Sequence, residues 1–356
     1  MVAQPDGKGS SLELRARASA DSDAAVGGVR IEAPARLHLG FVDLHGGLGR
    51  RFGSLGLALE DLGACVRVSR ADATSIEGPG AERVCEVVAL LRDRAGFRGE
   101  VRIEVERTIA PHVGLGSGTQ IALATGVAIS DLHSLNLTPR ALAQMLDRGA
   151  RSGIGIGTFE SGGFVLDGGR GDDGSPPPLI SRLPFPADWR VLLVFDRSRE
   201  GLHGEQELAA FRRLAPFPEE RAARLARLVL MRLLPALAEG RVAEFGSAVT
   251  ELQAAVGDHF APVQGGRFTS ARVARALEWL QAAGAAGVGQ SSWGPTGFAI
   301  VGSAAQAEAL ARDLDGGHAA GSDLVVRVVR GRNRGAQRWV TPPQTPPHAS
   351  RFAAIG

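Results

Sequence analysis

The chain has 356 residues, enough for one large or two ordinary domains, and a formal charge of only +2. Lys8 is the only lysine and lies in a polar N-terminal stretch, so arginine supplies the rest of the basic count and tyrosine is absent. That excludes a Schiff-base enzyme with a buried amine and a lysine-bearing P-loop, and near-neutral charge argues against a nucleic-acid binder.

Residues 1–27 are rich in Ala, Ser, Asp and Gly and read as a disordered leader. Asp6, Glu13, Asp21 and Asp23 interrupt any signal-peptide core, and no apolar run reaches the ~20 residues of a membrane span. A cytoplasmic protein without membrane contact is expected. Strands are predicted at 29–33, 35–41, 55–60, 64–69 and 101–107 from β-branched and alternating apolar residues. Val84, Val87, Val88, Leu91 and Ala95 share one face of a helix over 81–95. A helix starts near 118 and runs to about 132; another starts behind Thr138-Pro139, an N-cap followed by Pro at the first helical position. A strand at 162–167 precedes the irregular stretch GGRGDDGSPPP at 168–178.

The second half opens with a strand at 189–195, followed by helices at 219–238, 241–256 and 270–283. Then come a strand at 297–301, a helix at 304–314 and a strand at 323–330. Mixed strands and helices without regular alternation predict an α+β fold in two lobes, over 28–180 and 181–340, with a Pro-rich tail at 341–356. Cys65 and Cys85 form no CxxC and read as two small buried residues in a reducing compartment.

The most informative segment is Pro111-His-Val-Gly-Leu-Gly-Ser-Gly-Thr-Gln120. Gly114, Gly116 and Gly118 permit close backbone approach, and the N–H groups of the following helix face outward with the positive end of its dipole behind them. Ser117 and Thr119 add hydroxyl donors. Such a loop cradles phosphate without lysine.

This stretch resembles the glycine-rich phosphate motif of the GHMP superfamily of small-molecule kinases. Ala33-Pro-Ala-Arg-Leu-His-Leu39 and Gly287-Val-Gly-Gln-Ser-Ser-Trp-Gly-Pro-Thr-Gly-Phe298 look like its N-terminal and C-terminal motifs, in the expected order. The resemblance implies a GHMP-kinase-like fold, with an N-terminal mixed sheet carrying helices and a C-terminal ferredoxin-like lobe. Two positions depart from the kinases. Arg36 stands where they keep a lysine, and Gly155 stands where many hold an acid that assists the acceptor hydroxyl.

Those departures match another pattern. Asp43–Arg50, Ser152–Phe164, Gln264-Gly-Gly266, Gly289–Pro295 and Arg332–Ala336 closely resemble the β-ribofuranosylaminobenzene 5′-phosphate synthases, GHMP-fold enzymes of methanopterin biosynthesis that do not use ATP. The resemblance implies a decarboxylating C-ribosyltransferase, a pentosyltransferase condensing phosphoribosyl pyrophosphate with 4-aminobenzoate or 4-hydroxybenzoate. It also implies Mg²⁺ on the leaving group and a homodimer. The rivals are a kinase using MgATP and a non-catalytic ligand-binding member of the fold.

The expected phosphate-binding residues are Gly114, Gly116, Ser117, Gly118, Thr119, Arg50 and Asn333, with Arg36 and the Arg332–Arg334 segment able to fork phosphate oxygens. Arg36, Asp43 and Glu160 are the expected catalytic groups, the two carboxylates also holding the metal. His38, Gln290, Ser291, Ser292 and Trp293 are expected around the arene. Bland alternatives stand beside several of these. Asp43 would equally cap the 43–47 turn, Trp293 would pack, and His38 would be a satisfied strand residue.

Overall fold

The computed structural model describes residues 27–198, 204–315 and 323–342. The leader through residue 26, with Lys8, and the tail from 343 onward lie outside these described residues. Among the described residues no helix is long and apolar enough to cross a membrane.

The first half runs β1 (Gly28–Asp43), β2 (Phe52–Arg70), β3 (Ser75–Glu77), α1 (Ala81–Arg94), β4 (Val101–Arg107), α2 (Ser117–Leu132), α3 (Pro139–Met145), α4 (Ile154–Ser161), β5 (Phe164–Asp167) and β6 (Leu179–Leu183). The second half runs β7 (Arg190–Asp196), α5 (Gly204–Arg213), α6 (Glu219–Leu228), α7 (Leu234–Ala238), α8 (Val242–Gln264), α9 (Ala271–Ala282), β8 (Gly287–Gln290), β9 (Gly297–Val301), α10 (Ala304–Asp313), β10 (Leu324–Val329) and β11 (Gln337–Thr341). A π-helical turn, Val229–Leu233, joins α6 to α7, so the single helix expected over 219–238 is interrupted.

The strands expected at 29–33 and 35–41 form one strand, because the register shift between Pro34 and Ala35 absorbs the missing proline N–H. A second irregularity, between His38 and Gly40, breaks the strict alternation of side chains at His38. Gly40 takes φ 125° there. A Cβ on it would meet Leu252 Cδ2 at 2.2 Å, so α8 packs directly on its backbone.

The first sheet has seven strands in the order β11-β1-β2-β4-β3, with β5 pairing β2 and β6 pairing β5. Its edge strand β11 thus comes from the far end of the chain, and Thr341, assigned to the tail on sequence, belongs to it. Arg332, 3% exposed, anchors the approach to β11 through Glu32 at 3.0 Å and Glu60 at 3.4 Å. The second sheet is antiparallel, β10-β7-β9-β8; in chain order its strands lie 4-1-3-2, the split βαβ arrangement of a ferredoxin-like lobe.

Three apolar layers hold this together. Val29, Ile31, Val66 and Ile103 pack on Val84, Leu91, Ile121 and Leu142 of the first-lobe helices. Leu192, Val194 and Ala299 pack on Leu277 and Leu310 in the second lobe. Between the sheets, Leu37, Leu39, Leu55 and Leu57 share one core with Phe245, Leu252, Phe298 and Ile300, which joins the lobes.

One sequence expectation is corrected outright. Cys65 is buried, but Cys85 is exposed, on the solvent side of the α1 stripe. Cys65 Sγ donates to Glu106 Oε2 at 3.1 Å, and burial pushes the thiol up to about 12. The Arg30 guanidinium, donating to the same oxygen at 2.9 Å, holds the Glu106 carboxyl down at about 2, with Cys65 and Arg67 assisting. A carboxyl depressed in this way adds stability that is full above its ordinary pKa of ~4.3 and fades as pH falls toward its folded value. Glu106→Gln is therefore expected to be less stable than wild type at neutral pH. Urea melts taken downward from pH 5 should show the gap closing. A pH-independent gap would refute the carboxylate's role.

Candidate active site

The glycine loop joins β4 to α2 and turns on Gly114 and Gly116, both at φ 81°. Gly116 caps the helix without any side-chain hydrogen bond, and the first turn of this 16-residue helix carries no acid of its own against the positive end of its dipole. Arg36 reaches across from β1. Its Nη1 donates to Gly114 O at 2.8 Å and its backbone N donates to Leu115 O at 3.1 Å, bracing the turn.

A hollow of about 220 Å³ opens over this loop. Arg36, Arg83 and Arg148 all line it, together with Ser117, Thr119 and Trp293, and among the described residues no carboxylate does. Arg83 Nη1 donates to Ser117 Oγ at 3.2 Å, and its Nη2 lies 3.4 Å from His112 Nε2. The Nε of Arg148 is buried without a partner among the described residues. Burial, with Arg83 nearby, pushes its guanidinium pKa down. Three guanidiniums lining one hollow beside a helix N-terminus form a ready receptor for a polyanion.

The opposite wall is the loop after β8. Ser291 Oγ donates to Gly114 O at 2.7 Å and Thr296 Oγ1 donates to Val113 O at 2.7 Å. A Cβ on Gly294 would fall 2.6 Å from Gly114 N, so the two loops touch backbone to backbone. Ser291 Oγ also accepts from His38 N at 3.0 Å. Gln290 Oε1 accepts from Thr269 N at 2.6 Å and its Nε2 donates to Ser292 O at 3.0 Å. Gln290 and Ser291, expected to meet the arene, are thus committed to holding the loop.

Beside Trp293 lies a second, smaller hollow, lined by His38, Phe41, Phe260, Ser292 and Trp293. The rings of Phe260 and Trp293 are 4.4 Å apart and those of His38 and Phe41 4.7 Å apart. Gly40 N donates to His38 Nδ1 at 3.1 Å. Burial, with Arg36 and Arg151 nearby, pushes the ring well below the usual histidine pKa. A neutral ring accepting at Nδ1 carries its proton on Nε2.

The remaining expected residues do not converge here. Asp43 Oδ1 accepts from His45 N at 2.7 Å and Gly46 N at 2.9 Å, which is the turn-capping role. Glu160 lines a separate depression with Arg338 and Pro139, sharing no residue with the glycine-loop hollow. Among the described residues no group of three or more His, Cys, Asp or Glu side chains is placed to hold a metal ion. Arg50 Nη1 donates to Gly169 O at 2.9 Å, away from the glycine loop. The Asn333 amide is clamped to the Phe185 backbone, accepting at 2.7 Å and donating at 2.8 Å. Arg332 and Arg334 pair with Glu60, at 3.4 and 2.9 Å. Conversely, Arg83 and Arg148 were not anticipated: in a chain this rich in arginine neither carries a local motif.

Gly155 is buried in α4 against the glycine loop. A Cβ there would lie 3.0 Å from Thr119 Cγ2, and its carbonyl accepts from Gln120 Nε2 at 2.9 Å. A side chain at the position where many kinases of this fold resemblance carry an acid would press on Thr119.

Fold and loop together define a protein of GHMP-kinase architecture. Residues 82–163 match the GHMP kinases N terminal domain and residues 233–318 the GHMP kinases C terminal family. More particularly, the chain belongs to the β-ribofuranosylphenol 5′-phosphate synthase family. It is 35% identical over 326 residues to that synthase of Archaeoglobus fulgidus, covering 87% of this chain and 99% of the relative. It is 30% identical over 334 residues to that of Methanothermobacter thermautotrophicus, covering 86% and 97%. Among solved structures, one described as MDDEF in complex with MVAPP, AMPPCP and magnesium superposes with a TM-score of 0.62 at 18% identity, covering 89% of this chain and 100% of that one, a likeness of fold.

Proposed function

We propose that the protein is a decarboxylating C-ribosyltransferase condensing phosphoribosyl pyrophosphate with 4-aminobenzoate or 4-hydroxybenzoate. The observation that carries this reading is the hollow that Arg36, Arg83 and Arg148 line at the N-terminal end of α2. Bond breaking at the anomeric carbon sends an electron pair to pyrophosphate, and fixed positive groups beside the departing oxygens lower that barrier. The ring carbon bearing the carboxylate then bonds to the sugar. The bond to the carboxyl carbon breaks, its electron pair restores the aromatic ring, and CO2 leaves. No protein base is required, consistent with a glycine at position 155.

The described side chains do not fit a protein-held magnesium ion. Asp43 is spent on its turn and Glu160 lines another depression, so we route no step through a metal. Magnesium, if used, arrives with the pyrophosphate as part of the substrate.

The test mixes the protein with Mg²⁺, phosphoribosyl pyrophosphate and carboxyl-labelled 4-aminobenzoate or 4-hydroxybenzoate. Labelled CO2 and pyrophosphate should form in equal amounts, the faster acceptor identifying the para substituent. ATP consumption with an acceptor alcohol, and no labelled CO2 from either acid, would replace this reading with a kinase. A homodimer belongs to the same reading and is checked by sedimentation.

A further inference from the structure

Two buried donors beside the anion hollow have nothing to donate to. His38 and Trp293 are each 3% exposed, and neither His38 Nε2 nor Trp293 Nε1 has a hydrogen-bond partner among the described residues. Both side chains line the same small hollow. Leaving a buried N–H unsatisfied is costly, so two of them on one hollow call for an acceptor there. Here both are donors: the indole nitrogen can only donate, and His38 Nδ1 is already engaged by Gly40 N. The missing group must therefore be an acceptor.

The hollow's size narrows the acceptor further. Its free volume is about 20 Å³, room for one water or one small polar group and far too little for a benzene ring. It shares Ser292 and Trp293 with the anion hollow over the glycine loop. A group lodged there stands next to the reacting sugar. Its other walls mix Phe41, Val256 and Phe260 with Gln253, Gln264 and Arg267, the last of which donates to Asp258 Oδ1 at 2.7 Å.

We propose that His38 Nε2–H and Trp293 Nε1–H together hold the carboxylate of the arene acid, placing the carbon that bears it against the ribose. This rests on the ribosyltransferase reading and deepens it. Both donors are neutral, and Arg267 on the same wall is already engaged by Asp258, so the carboxylate is held without an ion pair of its own. Little ground-state stabilisation is then lost when the carboxyl carbon leaves as uncharged CO2. The electron pair of the broken bond returns to the ring, and no proton moves at either donor.

Trp293→Phe removes the N–H and keeps an aromatic ring, at the cost of part of the indole's volume. His38→Asn keeps an acceptor for Gly40 N while losing the distal donor. Titration calorimetry with each full-length variant should show 4-aminobenzoate binding weakened about tenfold, with aniline, which lacks the carboxylate, unaffected. Melting temperatures of the ligand-free variants give the packing cost of each smaller side chain, and the unchanged aniline affinity separates that cost from loss of the carboxylate contact. Unchanged 4-aminobenzoate affinity in both variants, or equal losses for aniline, would overturn the proposal. If both variants release labelled CO2 at the wild-type rate, the carboxylate clamp fails while the ribosyltransferase reading survives. If the wild type binds the acid through these donors yet releases no CO2, the clamp stands and the ribosyltransferase reading falls.

Discussion

Arg148→Met is expected to weaken phosphoribosyl pyrophosphate binding by roughly 10- to 100-fold, the range for losing one charge-assisted hydrogen bond of ~1.5–3 kcal/mol. The side chain sits in the glycine-loop hollow with its Nε buried and unsatisfied and a second guanidinium, Arg83, close by. Without ligand, that cation is destabilised by desolvation and by its neighbour. The variant should therefore be as stable as wild type, or more so, while losing affinity. Pairing it with Arg83→Met should deepen the loss. The measurement is thermal melting with and without pyrophosphate, because a ligand that binds only the folded state raises the midpoint. Wild type should gain several degrees and the double variant almost none. An equal gain in both would mean that the anion binds elsewhere.

Gly294→Val should have a large structural effect on the site. Its Cβ would lie 2.6 Å from Gly114 N and 2.6 Å from Val113 O, and neither backbone can yield without moving the glycine loop. The Ser291 and Thr296 hydroxyl bonds to that loop would go with it. We expect a destabilisation of about 2–4 kcal/mol, as for overpacking combined with lost buried hydrogen bonds, and activity below a hundredth of wild type. Thr296→Val is the graded comparison, deleting one bond for about 1 kcal/mol. Should Gly294→Val melt within a degree of wild type and keep its activity, the two loops are not the rigid unit described above.

What the sequence made legible was whatever a local pattern controls. The 3.6-residue periodicity of α1, the Thr138 cap with Pro139 behind it, and the loop glycines all act within one or two turns of themselves. Thr138 Oγ1 indeed accepts from Ala141 N at 3.2 Å. α4 escaped because Gly155 and Gly157 depress helix propensity; both are tolerated because Cβ atoms there would sit 3.0 Å from Thr119 and Leu179. β8 escaped because Gly287-Val-Gly-Gln290 has no alternation and all four residues are buried. At the site, the loop residues were found and their partners were not. Arg83 lies on α1 and Arg148 just beyond α3, and only the packing of α1 and α3 on α2 turns them toward one hollow. The reverse error has the same cause: Asn333 and Arg332 looked suited to phosphate, but the tertiary fold spends them on Phe185, Glu32 and Glu60.

The placement of β11 alongside β1 sets a schedule for the newborn chain. β1 is complete once residue 43 has left the ribosome, yet the strand that covers its outer edge ends at residue 341. At ~5–20 residues per second, that edge waits roughly fifteen seconds to a minute with its amides open to other chains. The hazard is one of timing, felt on the ribosome and not by the finished protein. A cell making this enzyme quickly should rely on chaperones that shield open strands until the last residues of the body arrive.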